Sequence, residues 1–251
     1  MTGFFWFLWV LISIFVLGVF GWTTYISHRQ KKTWEAFAKK HKLDFSITSL
    51  KYIDSSASHR EIKTPYVTGR YKDYRIYLFT DVVRTADIRS ERYLTAIEIE
   101  LGQGLPVAAA IGNNGMRSFI LGLKFSEEFS PADKSWETGY VLRTKNAAAL
   151  KAYLTEERLK KLASLFTMNN ASVLFFFDEV EGILRIETTD PLLEVKKIEG
   201  VLNRILGVME KFKVDAKEAK LIQKAGKTSE SFHIDQSKTD DNDDQSAASE
   251  S

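Results

Sequence analysis

Several groups of side chains in this 251-residue chain have the composition for chemistry. Asp178, Glu179 and Glu181 crowd one short stretch, and Glu187 follows. Carboxylates so placed hold a divalent cation or share the work of general acid and base. Their spacing fits no EF-hand loop, and a charged hairpin tip is ordinarily only solvated. Gly112-Asn113-Asn114-Gly115 has the small residues of a phosphate-cradling loop or of a clamp on single-stranded RNA. Met116-Arg117-Ser118-Phe119 follows, however, where a phosphate loop needs Lys and Ser/Thr opening a helix. Asn and Gly between apolar segments are the usual chemistry of a turn.

The stretch GRYKDYRIYLF interleaves Arg70, Lys72 and Arg75 with Tyr71, Tyr74, Tyr77 and Phe79. Aromatic rings with basic neighbours on a sheet stack unpaired bases. Yet strand alternation buries about half of such rings, and between His59 and Arg92 eight basic residues face five acidic ones. That balance is too mild for a nucleic-acid stripe, so no nucleic-acid partner is expected. The four histidines, His28, His41, His59 and His233, show no metal-ligand spacing and accompany no nucleophile motif. With no cysteine in the chain, disulfides, thiolate metal sites and cysteine nucleophiles are excluded. No catalytic residue, cofactor or metal is therefore assigned, and the reading leans away from an enzyme.

The strongest pattern is physical rather than catalytic. Phe4 to Ile26 is a run of 23 residues without Asp, Glu, Lys, Arg or His, and fourteen of them are Leu, Ile, Val or Phe. As a helix it spans about 34 Å, slightly more than the ~30 Å hydrocarbon core of a bilayer. Trp6 and Trp9 near one end, with Trp22 and Tyr25 near the other, suit the two interfacial aromatic belts. A cleaved secretory signal would have a basic leading segment, a shorter apolar core and a small-x-small cleavage site. Here only Met1-Thr2-Gly3 precede the run, and it closes on Tyr25-Ile26. A retained transmembrane anchor over residues 1–28 is the expectation.

Arg29, Lys31 and Lys32 follow the run directly, and the positive-inside rule then places the N-terminus outside and the rest in the cytoplasm, at the inner (plasma) membrane. Between His28 and Lys42 six Lys/Arg face one Glu. Two roles remain open for Arg29, Lys31, Lys32, Lys39 and Lys40: attraction to anionic lipid headgroups, or topology and solubility alone. Trp34, Phe37, Ala38 and His41 recur at helical spacing, so one face of this neck is apolar. Gly18 and Gly21 are three apart and make no GxxxG pairing face.

Residues 29–224 read as one α+β domain with a largely antiparallel sheet and packed helices. Strands are expected to begin after Pro65, with a hairpin of Tyr66–Tyr71 and Tyr74–Thr80 turning at Lys72-Asp73. Tyr93–Leu101 alternates as a half-buried strand, and Val107–Ile111 is expected beside it. Phe119–Leu123 is ambiguous between strand and helix, 126–137 reads as loop, and Tyr140–Arg143 as strand. Asn146 and Thr155 are helix caps, for helices through Tyr153 and to Phe166. Ser172–Phe177 and Ile183–Thr188 form a hairpin whose first strand, apolar on both faces, must be covered on both sides. Asp190-Pro191 opens a final helix with Leu202, Ile205, Leu206, Met209 and Phe212 facing the core, continuing to Lys224. The tail 225–251 carries seven acids against two lysines and is expected to be disordered, since so little apolar surface cannot offset chain entropy.

The tracts WEAFAKKHKLDFSI, VTGRYKDYRIYLFT, ETGYVLRTKNAAALKAYLTEERLKKLASL and VLFFFDEVEGILRIETTD, closed by a long helix, resemble bacterial single-pass membrane-anchored proteins that carry a domain of unknown function. The similarity covers most of residues 34 to 213. It implies a bacterial source and an anchored domain, and brings no active-site residues. The expectation is a non-enzymatic domain that meets another protein, of unknown identity, or the bilayer surface. The alternatives are a ligand-binding or enzymatic domain whose site is assembled from distant residues, or a periplasmic module of reversed topology.

Overall fold

Thr2 to His41 form one helix, α1, without interruption. No proline and no glycine stands between Trp22 and His41, and the alanines, lysines and glutamate of the neck are good helix formers. It ends where Lys42 takes a left-handed conformation, φ 56°, and Leu43 N–H donates back to Ala38 O at 2.9 Å. That is the helix-terminating turn usually made with glycine. Leu43 is then buried against Gly69, where a Cβ would stand 2.9 Å from Leu43 Cδ2. The computed structural model of the protein describes residues 2–53, 59–83, 92–131, 136 and 139–227.

Among the described residues nine β-strands follow α1: β1 (Asp44–Ile53), β2 (His59–Tyr71), β3 (Tyr74–Val83), β4 (Arg92–Glu100), β5 (Ala109–Gly112), β6 (Glu127–Glu128), β7 (Val141–Thr144), β8 (Ala171–Phe177) and β9 (Gly182–Thr188). They lie in one sheet in the order β1-β2-β3-β4-β9-β8-β5-β7-β6. Helices α2 (Arg117–Gly122), α3 (Ala147–Tyr153), α4 (Glu156–Phe166), α5 (Val195–Met209) and α6 (216–227) complete the α+β architecture. Where the sequence reads a single domain, the chain divides into two compact units. The first is Met1–Ile97 with Thr188–Asn203, and the second Glu98–Glu187 with Arg204–Ser251.

In the first unit the β2–β3 hairpin turns at Lys72-Asp73 as expected, with Tyr71 opposite Tyr74. Both turn residues have positive φ, 47° and 69°, which matches the two-residue turn that follows strand twist. Strands do not wait for Pro65. β1 precedes it, and β2 runs through it with Ile47 opposite the proline. In sequence the apolar residues of β1 stand at odd positions first (Phe45, Ile47) and at even positions later (Leu50, Tyr52), a change of phase that hides the period-two signal. Val67, Ile76, Leu78, Trp34, Phe37, Ile198 and Leu202 are all buried.

The second unit has a sheet packed on both faces. Leu174 and Phe176 on one face of β8 join Ala110, Val141, Met116, Ile120 and Phe125, so α2 covers that side. Phe175 and Phe177 on the other face stack 4.7 Å apart, and meet Phe212 at 4.6 Å and Tyr153 at 5.2 Å. The expected double coverage of this strand is thus present. β5 lies between β8 and β7, with Ile111 opposite both Phe175 and Leu142. It is not the neighbour of β4, because its short all-buried run needs strands on either side, and these come from far along the chain. Asn146 and Thr155 cap α3 and α4, accepting from Ala149 N at 2.9 Å and Arg158 N at 3.4 Å.

The last helical region departs from expectation at both ends. Asp190 does not start a helix: its carboxylate accepts Leu192 N–H at 2.9 Å, Leu192 turns to φ 50° with its side chain buried, and α5 begins at Val195. Continuation to Lys224 is broken at 213–215. There Asp215 caps α6, accepting from the N–H groups of Lys217 and Glu218. Helix α6 reaches residue 227, so the boundary expected at 225 falls inside it. The rest of the expected disordered tail, 228–251, lies outside the described residues, as do most of 132–137 in the expected 126–137 loop.

Candidate membrane anchor and neck

α1 changes its surroundings part-way along. From Phe4 to Tyr25 its large apolar side chains are exposed to solvent in the absence of a bilayer, Trp6 and Trp9 at 75% and Trp22 at 64%. A core helix of a water-soluble fold would bury this surface. By length and composition the helix is apolar enough to cross a membrane, and none of its most apolar stretch is buried. The few polar side chains in the run are satisfied within the helix. Ser13 donates to Trp9 O, and Thr23 and Thr24 both donate to Phe20 O, each at 2.9 Å. In hydrocarbon this internal pairing removes the cost of carrying hydroxyl groups. The hollow lined by Trp6, Trp9, Ser13 and Leu17 is a groove along this one helix rather than an enclosed site.

From Gln30 onward one face of the same helix is buried. Trp34 and Phe37 are fully buried and Ala38 nearly so. Gln30 Nε2 donates to Thr95 Oγ1 at 3.4 Å, and Thr33 Oγ1 donates to Leu193 O at 3.0 Å. At the end of the helix Glu199 of α5 receives Lys40 Nζ at 2.7 Å and His41 Nε2 at 2.6 Å. These contacts hold the Glu199 carboxyl below the usual carboxylate range, Lys40 first and His41 second. Tyr71 packs on both rings beside it, 4.9 Å from His41 and 6.0 Å from Phe37, and burial raises its hydroxyl pKa. On the opposite face Arg29, Lys32, Ala36 and Lys39 recur at spacings of three and four and are exposed.

The five basic residues singled out from sequence therefore divide. Arg29, Lys32 and Lys39 share the outer face, Lys31 is half-buried at its border, and Lys40 is engaged with Glu199. Because Glu199 is more acidic folded than unfolded, it stabilises the folded state above the unfolded carboxylate pKa, and loses that contribution as pH falls through its depressed value. Wild-type protein is thus expected to melt above Glu199→Gln at neutral pH. The gap should narrow as pH falls below the ordinary glutamate range and close once the carboxyl is protonated in the folded state too, as thermal melts across pH would show.

The other sequence candidates resolve into structural parts. Asp178 Oδ1 accepts the N–H groups of Val180 and Glu181 at 2.8 and 3.0 Å, so this carboxylate shapes the hairpin turn. Glu187 pairs with Arg185, which also reaches Glu98 at 2.7 Å. Asn113 donates to Ala171 O at 2.7 Å and accepts Val173 N–H at 3.1 Å, fastening the Gly112–Gly115 stretch to β8. A Cβ on Gly115 would lie 2.1 Å from Ser172 Oγ, so the stretch is filled by protein rather than open to a phosphate. Tyr66 stacks near Tyr77 and Phe79 at 6.5 and 6.2 Å, while Tyr71 and Tyr74 are buried. Among the described residues no group of three or more His, Asp or Glu has a metal-binding arrangement.

Comparison with family models, curated proteins and solved structures gives no match.

One polar centre was not legible from sequence. Arg158 on α4 is only 6% exposed. Its Nε donates to Lys211 O at 2.8 Å and Nη2 to Lys213 O at 3.0 Å, while Nη1 reaches Tyr153 O at 2.8 Å. Glu218 completes the set with both carboxylate oxygens, at 2.5 and 3.1 Å. The guanidinium also lies 4.4 Å from the Tyr153 ring centre. Burial pushes the Tyr153 hydroxyl far above its ordinary pKa, and it donates to Phe212 O at 3.1 Å. Every donor of this cluster is turned onto backbone or Glu218, so it is a clamp on the 210–218 segment and not a reaction centre.

Proposed function

We propose that the chain is a single-pass membrane protein that holds a non-enzymatic α+β interaction domain at the cytoplasmic face of the bilayer, with its N-terminus outside. The observation that carries this reading is the change of surroundings along α1, exposed and apolar to Tyr25, then buried on one face from Trp34. Arg29, Lys31 and Lys32 at the junction supply the orientation. In a helix that continues unbroken, Lys39 lies about 20 Å beyond Ile26. That exceeds the ~8 Å Debye length at physiological ionic strength. Attraction to anionic headgroups then falls mainly to the three residues at the junction, while Lys40 is engaged with Glu199 in the domain.

The test is a pair of C-terminal fusions expressed in bacteria, one to a fluorescent protein that matures in the cytoplasm and one to alkaline phosphatase. Fluorescence without phosphatase activity is the expected result. Phosphatase activity without fluorescence would reverse the topology and move the domain to the periplasm.

A further inference from the structure

The sheet ends at β1 in the first unit, and among the described residues β2 is its only strand neighbour. The two pair one for one from Asp44 opposite Thr68 to Ile53 opposite His59, with no bulge to twist the edge away. In an antiparallel ladder alternate residues turn N–H and C=O to either side, so β1 offers an outward row of donors and acceptors that the sheet itself does not use. Edges are commonly blunted by shortness, charge or proline. The terminal strand β6 follows that rule, being two exposed glutamates, Glu127 and Glu128. β1 does not: it is ten residues long, and residues 45–50 include no charge and no proline.

The side chains say what would cover this edge. Directly opposite residues of an antiparallel pair share a face, so Phe45 lies with its partner Val67, and Val67 with Leu78. Val67 and Leu78 are buried, Phe45 is half-buried, and Ile47, two residues on, is 45% exposed. The apolar layer thus runs out across β1 instead of closing at it. On the other face Ser46 and Thr48 are exposed. A strand laid beside β1 completes the layer if its own alternate side chains are apolar.

A second copy does not fit this position. Antiparallel pairing of β1 with itself sets a two-fold axis perpendicular to the sheet, and such an axis reverses every direction in the sheet plane. α1 packs along that plane, with Gln30 at Thr95 of β4 and Phe37 at Tyr71 of β2. The second copy's span would therefore leave on the side away from the bilayer.

We propose that the outer edge of β1, over residues 44–48, takes an extended segment of a separate protein as an added strand, with apolar side chains on alternate residues of that segment. This names the kind of partner for the interaction domain and rests on that reading.

The test uses the full chain in nanodiscs and a phage-displayed library of random dodecapeptides. Selected peptides should alternate apolar and polar residues. Their binding should weaken at least about tenfold with Ile47→Lys, which charges the edge, and be unchanged with Leu221→Lys, an exposed position on α6. Thr48→Lys repeats the reading if Ile47→Lys unfolds, as thermal melts would show. N-methylation of alternate peptide amides should abolish binding in one phase and spare it in the other, as ladder pairing requires. Selection of no peptide that depends on positions 47 and 48 would overturn the proposal. Disulfide-linked dimers of Ile47→Cys or Thr48→Cys would overturn it in favour of a second copy. Binding seen only after deletion of 228–251 would overturn it in favour of the chain's own tail. The peptides report on the edge and the C-terminal fusions on topology, so either can fail while the other stands.

Discussion

Arg158→Met is expected to destabilise the second unit by about 3 kcal/mol, the lower end for breaking a buried pair because Glu218 is partly exposed and can turn to water. The loss is not mainly the ion pair. Three carbonyls, on Tyr153, Lys211 and Lys213, lose their donor at once, two of them in the 3-10 turn and link that carry the chain from α5 to α6. Glu218→Gln should cost much less, since Arg158 keeps its backbone acceptors and an amide oxygen replaces one carboxylate oxygen. Thermal melts in detergent, followed by circular dichroism, give the ranking. Hydrogen exchange should locate the Arg158→Met effect in 210–227. A ranking with Glu218→Gln as costly as Arg158→Met would show that charge, not the carbonyl clamp, holds the segment.

Trp34→Ala should be comparably severe in the first unit, at about 3–5 kcal/mol, because the ring is fully buried and its removal leaves a cavity where the neck meets the sheet. Trp34→Phe should cost only about 1 kcal/mol. The indole Nε1 finds no hydrogen-bond partner among the described residues, so the smaller ring forfeits volume but no polar contact. The two variants should insert into membranes equally well, since residues 4–26 are untouched. Carbonate extraction paired with limited proteolysis separates these effects: both variants stay with the membrane, and Trp34→Ala is cut in the domain much faster. Equal resistance to proteolysis would mean that the neck helix contributes little to the domain it enters.

Features governed by neighbours in sequence were legible before the structure. Asn146 and Thr155 cap their helices through bonds spanning three residues, and Lys72-Asp73 turns a hairpin between aromatic strands. The stripe Leu202, Ile205, Leu206, Met209 and Phe212 is buried as its spacing implied, and so is the face Trp34, Phe37, Ala38. Features governed by distant partners were not. The neighbours of β5 are set by β7 and β8, from later in the chain, and nothing in Val107–Ile111 names them. Arg158 looks in sequence like the polar margin of an amphipathic helix, because the carbonyls that make its burial favourable arrive more than fifty residues later. Asp190-Pro191 carries the residue types of a helix start, but the carboxylate is taken by a tight turn that delivers Leu192 to the core.

The neck has no swivel. Between Trp22 and His41 no glycine or proline offers a hinge, and the helix is bonded to Thr95, Leu193 and Glu199 before it ends. A turn of the helix about its own axis would therefore be passed to the first unit as torque, through the same angle, with no slack to absorb it. An anchored domain of this build keeps a fixed heading relative to whatever grips its helix, and a partner gripping the helix would steer the domain as a key steers a lock barrel.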